Sequence, residues 1–236
     1  MPAKVTGPAE TYREVDRWPA GVGWIAHPEE TMRRASHALA TADGVWVVDP
    51  VDAAGVDDLF AEFGDVAGVV VLSNYHRRDA GAVARRHDVP VFLPKPMTDL
   101  ATTVDAPVEC VAAGTTFGAY ELFEVDVDST LGVDWFEFGL YDGETLVVGE
   151  SVGGAPYLRV GDERLGVMLL RRLSPPRDSL GGLEPERVLG GHGAGVHENA
   201  AAALSDALDN ARRRYLRAVL ENGPSQVRTA LAAVRS

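Results

Sequence analysis

Between residues 108 and 148 the chain loses its helical period and runs through short β-rich segments: Val108–Val111, 121–127, 135–140 and Thr145–Val148. Asp142-Gly143 joins the last two, a strong hairpin signal because tight hairpin turns need positive φ. Upstream, strand and helix alternate. Residues 36–41 and 45–48 read as strands about an Ala42-Asp43-Gly44 turn. Residues 57–63 have helical spacing, with Leu59, Phe60 and Phe63 on one face. Residues 69–72 return to a continuous apolar run, Asp79 is placed to cap a helix reaching His87, and residues 89–93 form a strand. Downstream the pattern predicts a helix over 167–173, a Pro/Gly loop over 175–186 and a strand over 187–189. A long helix over 198–221 would then be stopped by Asn222-Gly223-Pro224. A β-α-β-α-β half followed by a meander without crossover helices predicts a mixed two-sheet core flanked by helices, not a doubly wound parallel sheet. No repeat or linker divides the chain, so residues 1–236 are expected as one domain. Residues 1–20 read as an irregular lead-in and 225–236 as a tail with a turn or two of helix.

Composition removes several classes of function. At 236 residues, 46% hydrophobic and 24% charged, the chain can bury a core without staples. Its one cysteine, Cys110, excludes an intrachain disulfide and any cysteine-based zinc cage. No run approaches the roughly 18 apolar residues of a membrane span, and the polar first 19 residues do not read as a secretory signal. The cytoplasm is the expected compartment. Thirty-five acids against twenty-two bases give a net charge of -13, which repels phosphate backbones and argues against nucleic acid. Only Lys4 and Lys95 are lysines, a bias that fits a GC-rich genome or adaptation to salt.

Of six histidines, His87 falls in the last turn of a helix, where a cation is favoured anyway. His37 alternates within a strand as a packing residue, and His27 has no companion. His76 and His192 differ, because each follows a buried apolar strand in a polar or glycine-rich loop before a helix. These loops carry a resemblance. Ser73-Asn74-Tyr75-His76-Arg77-Arg78-Asp79 resembles an altered His-x-His-x-Asp-His motif of the metallo-β-lactamase superfamily. Val45–Asp49 is similar to that family's strand ending in Asp, residues 145–150 to its strand ending in Gly-Asp, and Gly191-His192-Gly193 to its Gly-His-Gly. The resemblance spans residues 36 to 220 and implies a four-layer αββα sandwich.

Carried over position by position, the resemblance implies a depleted metal site. His76 and His192 match. Asn74, Asp79 and Ser129 replace histidines, Arg78 replaces the aspartate, and Glu150 replaces the bridging aspartate. The expectation is a pocket at Asn74, Arg78 and Ser129 with no tightly bound cofactor. The alternative is one zinc, manganese or iron on Asp79, Glu150 and His192, with His76 nearby, because a catalytic zinc needs about three protein ligands. Arg78 is expected to pair with Asp79 or Glu150, or to turn outward beside Arg77. The function implied is a repurposed fold that binds a small ligand or serves an interaction, with a mononuclear hydrolase as the alternative. The candidate partners are a small molecule, another protein or further copies of the chain.

Gly149-Glu150-Ser151-Val152-Gly153 also fits the Gly-x-Ser-x-Gly elbow of serine hydrolases. Pro156 and the polar 159–164 stretch make a poor helix after Ser151, and no oxyanion segment precedes it. Strand alternation would turn Ser151 away from any pocket that Glu150 faces.

Overall fold

The computed structural model describes residues 1–128 and 134–234; Ser129, and with it the fifth position of the motif comparison, lies outside the described residues. One sheet holds β1 (Arg13–Trp18), β2 (Gly21–Ile25), β3 (Ala35–Thr41), β4 (Gly44–Val48), β5 (Val66–Val70), β6 (Val91–Pro94) and β7 (Val108–Val111) in sequence order. Its first four strands pair antiparallel and the rest parallel. The second sheet contains β8 (Thr116–Phe117), β9 (Tyr120–Asp128), β10 (Trp135–Tyr141), β11 (Thr145–Val148) and β14 (Arg187–Gly190), in the order β14-β11-β10-β9-β8. Between β11 and β14 the chain makes a small ribbon of β12 (Val152–Gly153) and β13 (Gly166–Val167).

The period-2 alternation of the strands sorts their side chains into layers. Val45 and Val47 of β4, with Val69 and Val71, pack against α1 (Val56–Ala61) and α2 (Ala80–His87). Val48, Val70 and Leu72 point the other way, onto Leu122, Phe138, Leu140, Val147 and Leu189 of the second sheet. On that sheet's outer face Leu146, Val148 and Val188 meet α4 (Ala200–Asn210) through Ala203, Leu204, Ala207 and Leu208. Helix, sheet, sheet, helix is the αββα order expected from the sequence.

Three local expectations are corrected. The supposed lead-in contains β1, an edge strand whose solvent face is charged, as edge strands tend to be. Its Asp16 turns inward, accepting the Gly195 N–H at 2.8 Å and facing His197 Nε2 at 2.9 Å. Residues 167–173 are not an α-helix. β13 gives way to a single 3-10 turn, Leu169–Arg171, and Arg172 is drawn fully inside. The C-terminal helix is two: α4 ends at Asn210, and α5 (Tyr215–Val234) carries Pro224 within it and takes in most of the expected tail. Tertiary bonds outrank the local stop signal there. Asn222 Nδ2 donates to the Arg159 carbonyl, while Gln226 accepts the Leu169 N–H and donates to the Tyr157 carbonyl. A short α3 (Arg177–Leu180) precedes β14, and a 3-10 helix, Lys95–Thr103, links β6 to β7. Among the described residues, no helix is long and apolar enough to cross a membrane.

The segment between β12 and β13 is held by a buried ion pair. Arg172 donates through both terminal nitrogens to Glu163, at 2.9 and 2.7 Å, and Glu163 also accepts the Val160 N–H. Glu163→Ala would strand the Arg172 guanidinium in the interior and is expected to cost about 3–5 kcal/mol. Urea unfolding measures this directly; a loss below about 1 kcal/mol would show that the pair is not the anchor.

Candidate metal centre

Four strand ends deliver the site. β4 runs into Asp49, β5 into the 73–79 loop, β11 into Gly149-Glu150-Ser151, and β14 into Gly191-His192-Gly193. The sheets are stitched together here: Ala35 N–H donates to the Gly191 carbonyl, Gly191 N–H to that of Val148, and Gly193 N–H to that of Arg33. Gly191 must be glycine, because a Cβ there would lie 2.3 Å from the Gly149 oxygen and 2.5 Å from the His76 ring.

His76, Glu150 and His192 converge, with one ligand atom of each within 4.8 Å of the others. All three are buried. His76 Nε2 lies 2.6 Å from Glu150 Oε1 and 3.4 Å from His192 Nε2, which lies 3.2 Å from Glu150 Oε2. The outward nitrogens are engaged too: His76 Nδ1 is 2.7 Å from Asp49 Oδ2, and His192 Nδ1 is 3.0 Å from the Met32 carbonyl. All four imidazole nitrogens therefore face oxygen acceptors. Two neutral rings carry only two N–H protons between them. Arg78 Nη2, 3.1 Å from His76 Nε2, offers one donor there; further protons or one divalent cation would supply the positive charge for the remaining contacts.

Electrostatics sets how protons alone divide between the rings. Burial and Arg78 oppose charge on His76, but Glu150 and Asp49 outweigh them and raise its pKa. His192 is pulled the other way by burial, against the attraction of Glu150, and favours the neutral form. Burial works against the Glu150 carboxylate, yet His76 and His192 hold its pKa well below the usual value. A neutral His192 satisfies either Met32 or Glu150, never both.

The chemistry of these donors fits a cation. With Nδ1–H of His76 on a carboxylate and Nδ1–H of His192 on a carbonyl, both Nε2 lone pairs point inward, the arrangement in which partners behind a ligating histidine fix its tautomer. Zinc–ligand bonds of about 2.0–2.1 Å at a tetrahedral angle place ligand atoms about 3.3–3.4 Å apart. The Nε2–Nε2 separation of 3.4 Å meets that spacing and the 3.2 Å between His192 Nε2 and Glu150 comes close, whereas the 2.6 Å between His76 Nε2 and Glu150 is a hydrogen-bond distance that would have to open.

The remaining expected residues are placed as follows. Arg78 turns inward, not out to solvent, and pairs with neither Asp79 nor Glu150. It donates to the carbonyls of Ala35, Asp49 (2.8 Å) and Gly191 (2.9 Å), and its Nη2 sits 3.1 Å from His76 Nε2. Carbonyl oxygens at three strand ends, rather than a carboxylate, are what draw it in. Arg78 and Asp49 both occupy left-handed backbone, with φ of 42° and 48°, a strained state for non-glycine residues that recurs at functional sites. Asp79 stays outside the cluster, accepting the Asp52 N–H at 2.9 Å. Asn74 is spent on β10: its Oδ1 accepts the Phe136 N–H and its Nδ2 donates to the Asp134 carbonyl. A cleft of about 360 Å³ is lined by Lys4, Arg34, Asn74, Arg77, Arg78 and Asp79; none of the three converging residues lines it, and Arg78 links it to His76.

Ser151 is buried, with its hydroxyl donating to Glu137, and among the described residues no histidine touches it. This is not the geometry of an activated serine. Glu137, unremarked in the sequence, also accepts the N–H groups of Glu150 and Ser151, each at 2.8 Å. It thereby fixes the turn that aims Glu150 inward. Tyr157 stands edge-on to His192, 5.8 Å between centroids, and closes the other side. Neither had a sequence signal, because each is defined by a partner distant in the chain.

Solved structures show the same architecture. This chain is similar to the DIM-1 metallo-β-lactamase exposed to ceftazidime, at 12% identity and a TM-score of 0.55, over 86% of this chain and 99% of that one. It is similar to TMB-1 at 10% identity and a TM-score of 0.60, over 85% and 98%. With a metallo-β-lactamase from Pontibacter korlensis the values are 13% and 0.57, over 85% and 100%. No family model and no curated protein matches the sequence. The fold is that of the metallo-β-lactamases.

Burial raises the Glu137 carboxyl to about 6 against its hydrogen bonds from Ser151 and Glu150. The folded state thus holds this proton more tightly than the unfolded chain. The stability contributed by this one group is full below about pH 4.5, and about 2 kcal/mol of it is lost as pH rises through 6. Glu137→Gln should lack this loss, so its stability relative to the parent should improve by about 2 kcal/mol from pH 4 to pH 7. Chemical unfolding at both pH values tests this; a difference independent of pH would refute it.

Proposed function

We propose that the protein is a hydrolase-type member of this fold with a single-cation site on His76, Glu150 and His192, not a dinuclear one. The observation that carries this is the set of four imidazole nitrogens facing four oxygens, a charge deficit that one divalent cation fills. His76 replaces Asp79 in the ligand set expected from the sequence. A bound cation would supply Lewis acidity toward a water nucleophile and a scissile carbonyl or phosphoryl group. The chain's own residues do the rest. Asp49 and the Met32 carbonyl orient the imidazoles, and Glu137 holds Glu150 in position. Arg78, at the cleft wall, sets a permanent positive charge beside the centre. That charge favours an anionic substrate group or a developing oxyanion and disfavours a second cation. The substrate class this supports is a small molecule entering the cleft along Lys4, Arg34 and Arg77.

A second reading, a repurposed pocket without metal, is favoured by the 2.6 Å contact of His76 with Glu150 and the approach of Arg78 to His76 Nε2. In that case the missing charges are protons, and the cleft binds a ligand without hydrolysing it.

Cobalt titration of metal-stripped protein separates the readings. One equivalent with a tetrahedral visible spectrum, lost in His192→Ala and in Glu150→Gln, is the expected result. No uptake at millimolar cobalt would favour the metal-free pocket, and two equivalents would overturn both readings.

A further inference from the structure

A second cleft, of about 290 Å³, opens beyond the His192 loop and is lined by Arg13, Arg33, Arg159 and Arg164 together with the backbone at Gly154 and Ala194. No acidic side chain lines it. Elsewhere the arginines of this acidic chain are mostly spent: Arg17, Arg34, Arg86, Arg171, Arg172 and Arg214 each hold a carboxylate. Among the described residues, none of the four cleft arginines has a side-chain hydrogen bond or ion pair. The Nε of Arg159 is buried without a partner, as are those of Arg78 and Arg172, but those two guanidinium groups have acceptors at their terminal nitrogens and Arg159 has none. Buried polar donors are ordinarily satisfied, so a half-buried guanidinium with no protein acceptor at all leaves room for one from a ligand. Four like charges gathered on one concavity repel one another, and in a protein of net charge -13 carboxylates are not scarce.

We infer that this cleft binds a small phosphate-bearing anion. Guanidinium groups present planar donor pairs that match phosphate oxygens in forked geometry, and four of them suit a ligand with two or more negative charges. The volume is that of a small-molecule site, at the lower end of the usual range of about 300–1,000 Å³. The four arginines come from separate stretches: β1, the loop between β2 and β3, and the excursion between β12 and β13. A ligand held there would tie these segments together. It would also press on the loop that carries His192, because Ala194 lines the cleft and the Arg33 carbonyl accepts the Gly193 N–H. The site is separate from the His76–Glu150–His192 cluster and does not depend on whether that cluster takes a metal.

Calorimetric titration of the full-length, metal-stripped and dialysed protein with inorganic pyrophosphate at low salt tests the inference. Saturable 1:1 binding is expected, weakened at least tenfold in the Arg159→Gln/Arg164→Gln double variant and unchanged in Arg213→Gln, whose arginine is outside the cleft. The double variant without ligand should melt at or above the parent temperature, since it relieves unpaired like charges; this confirms that lost binding is not lost folding. Absence of saturable binding at millimolar pyrophosphate would overturn the proposal. So would binding that survives the double variant, or binding of citrate but not pyrophosphate.

Discussion

Glu150 sits with one oxygen 2.6 Å from His76 and the other 3.2 Å from His192, and all three residues are buried. Burying a carboxylate costs several kcal/mol unless opposite charge and hydrogen bonds replace its hydration. Much of the surrounding architecture answers that requirement. The sheets meet so that four strand ends deliver His76, Glu150 and His192 to one point, and Gly191 gives the backbone room to close. Asp49 and Met32 take the outward nitrogens, so the inward ones have no choice but to face the carboxylate and each other.

Glu137 shows how the position is held from behind. Its carboxylate receives two consecutive N–H groups and the Ser151 hydroxyl in the turn after β11. The same arrangement explains why Gly149-Glu150-Ser151-Val152-Gly153 is not a nucleophile elbow. The serine is a structural donor to a buried acid, and the residue before it carries the chemistry. The turn between β11 and β12, pinned by Glu137, separates the two roles: the Ser151 hydroxyl faces Glu137 while the Glu150 carboxylate faces the histidines.

Much of this was legible in the chain because it is encoded locally. Apolar strands ending in Asp49, Glu150 and His192 announce both the layers and the loops that converge at their ends. What escaped reading depended on partners far away. β1 looked like a polar lead-in because edge strands carry charge outward, and only the Gly195 loop reveals why Asp16 faces in. Pro224 looked like a helix stop because nothing local says that Asn222 and Gln226 dock α5 onto the 157–169 segment. Arg78 looked like one half of an ion pair because carboxylates were its visible partners in the sequence. Carbonyl oxygens of three strand ends, which no side-chain pattern records, proved the stronger claim on it.

The arginines supply the last step of the argument. A fixed cation whose terminal nitrogens have acceptors, such as Arg172 on Glu163 or Arg78 on three carbonyls, holds structure. Cations without protein acceptors do the opposite: water and salt screen their repulsion, and a bound anion relieves it directly. By that criterion the cleft lined by Lys4, Arg34, Arg77 and Arg78 is partly committed, because Arg34 is held by Glu30 and Arg77 by the Thr103 carbonyl. The cleft of Arg13, Arg33, Arg159 and Arg164 is wholly uncommitted. The first is therefore suited to shaping an approach to the buried cluster, and the second to holding a ligand by charge. In a chain whose net charge turns anions away, specific attraction of an anion has to be local, and these concavities are where the sequence concentrates it.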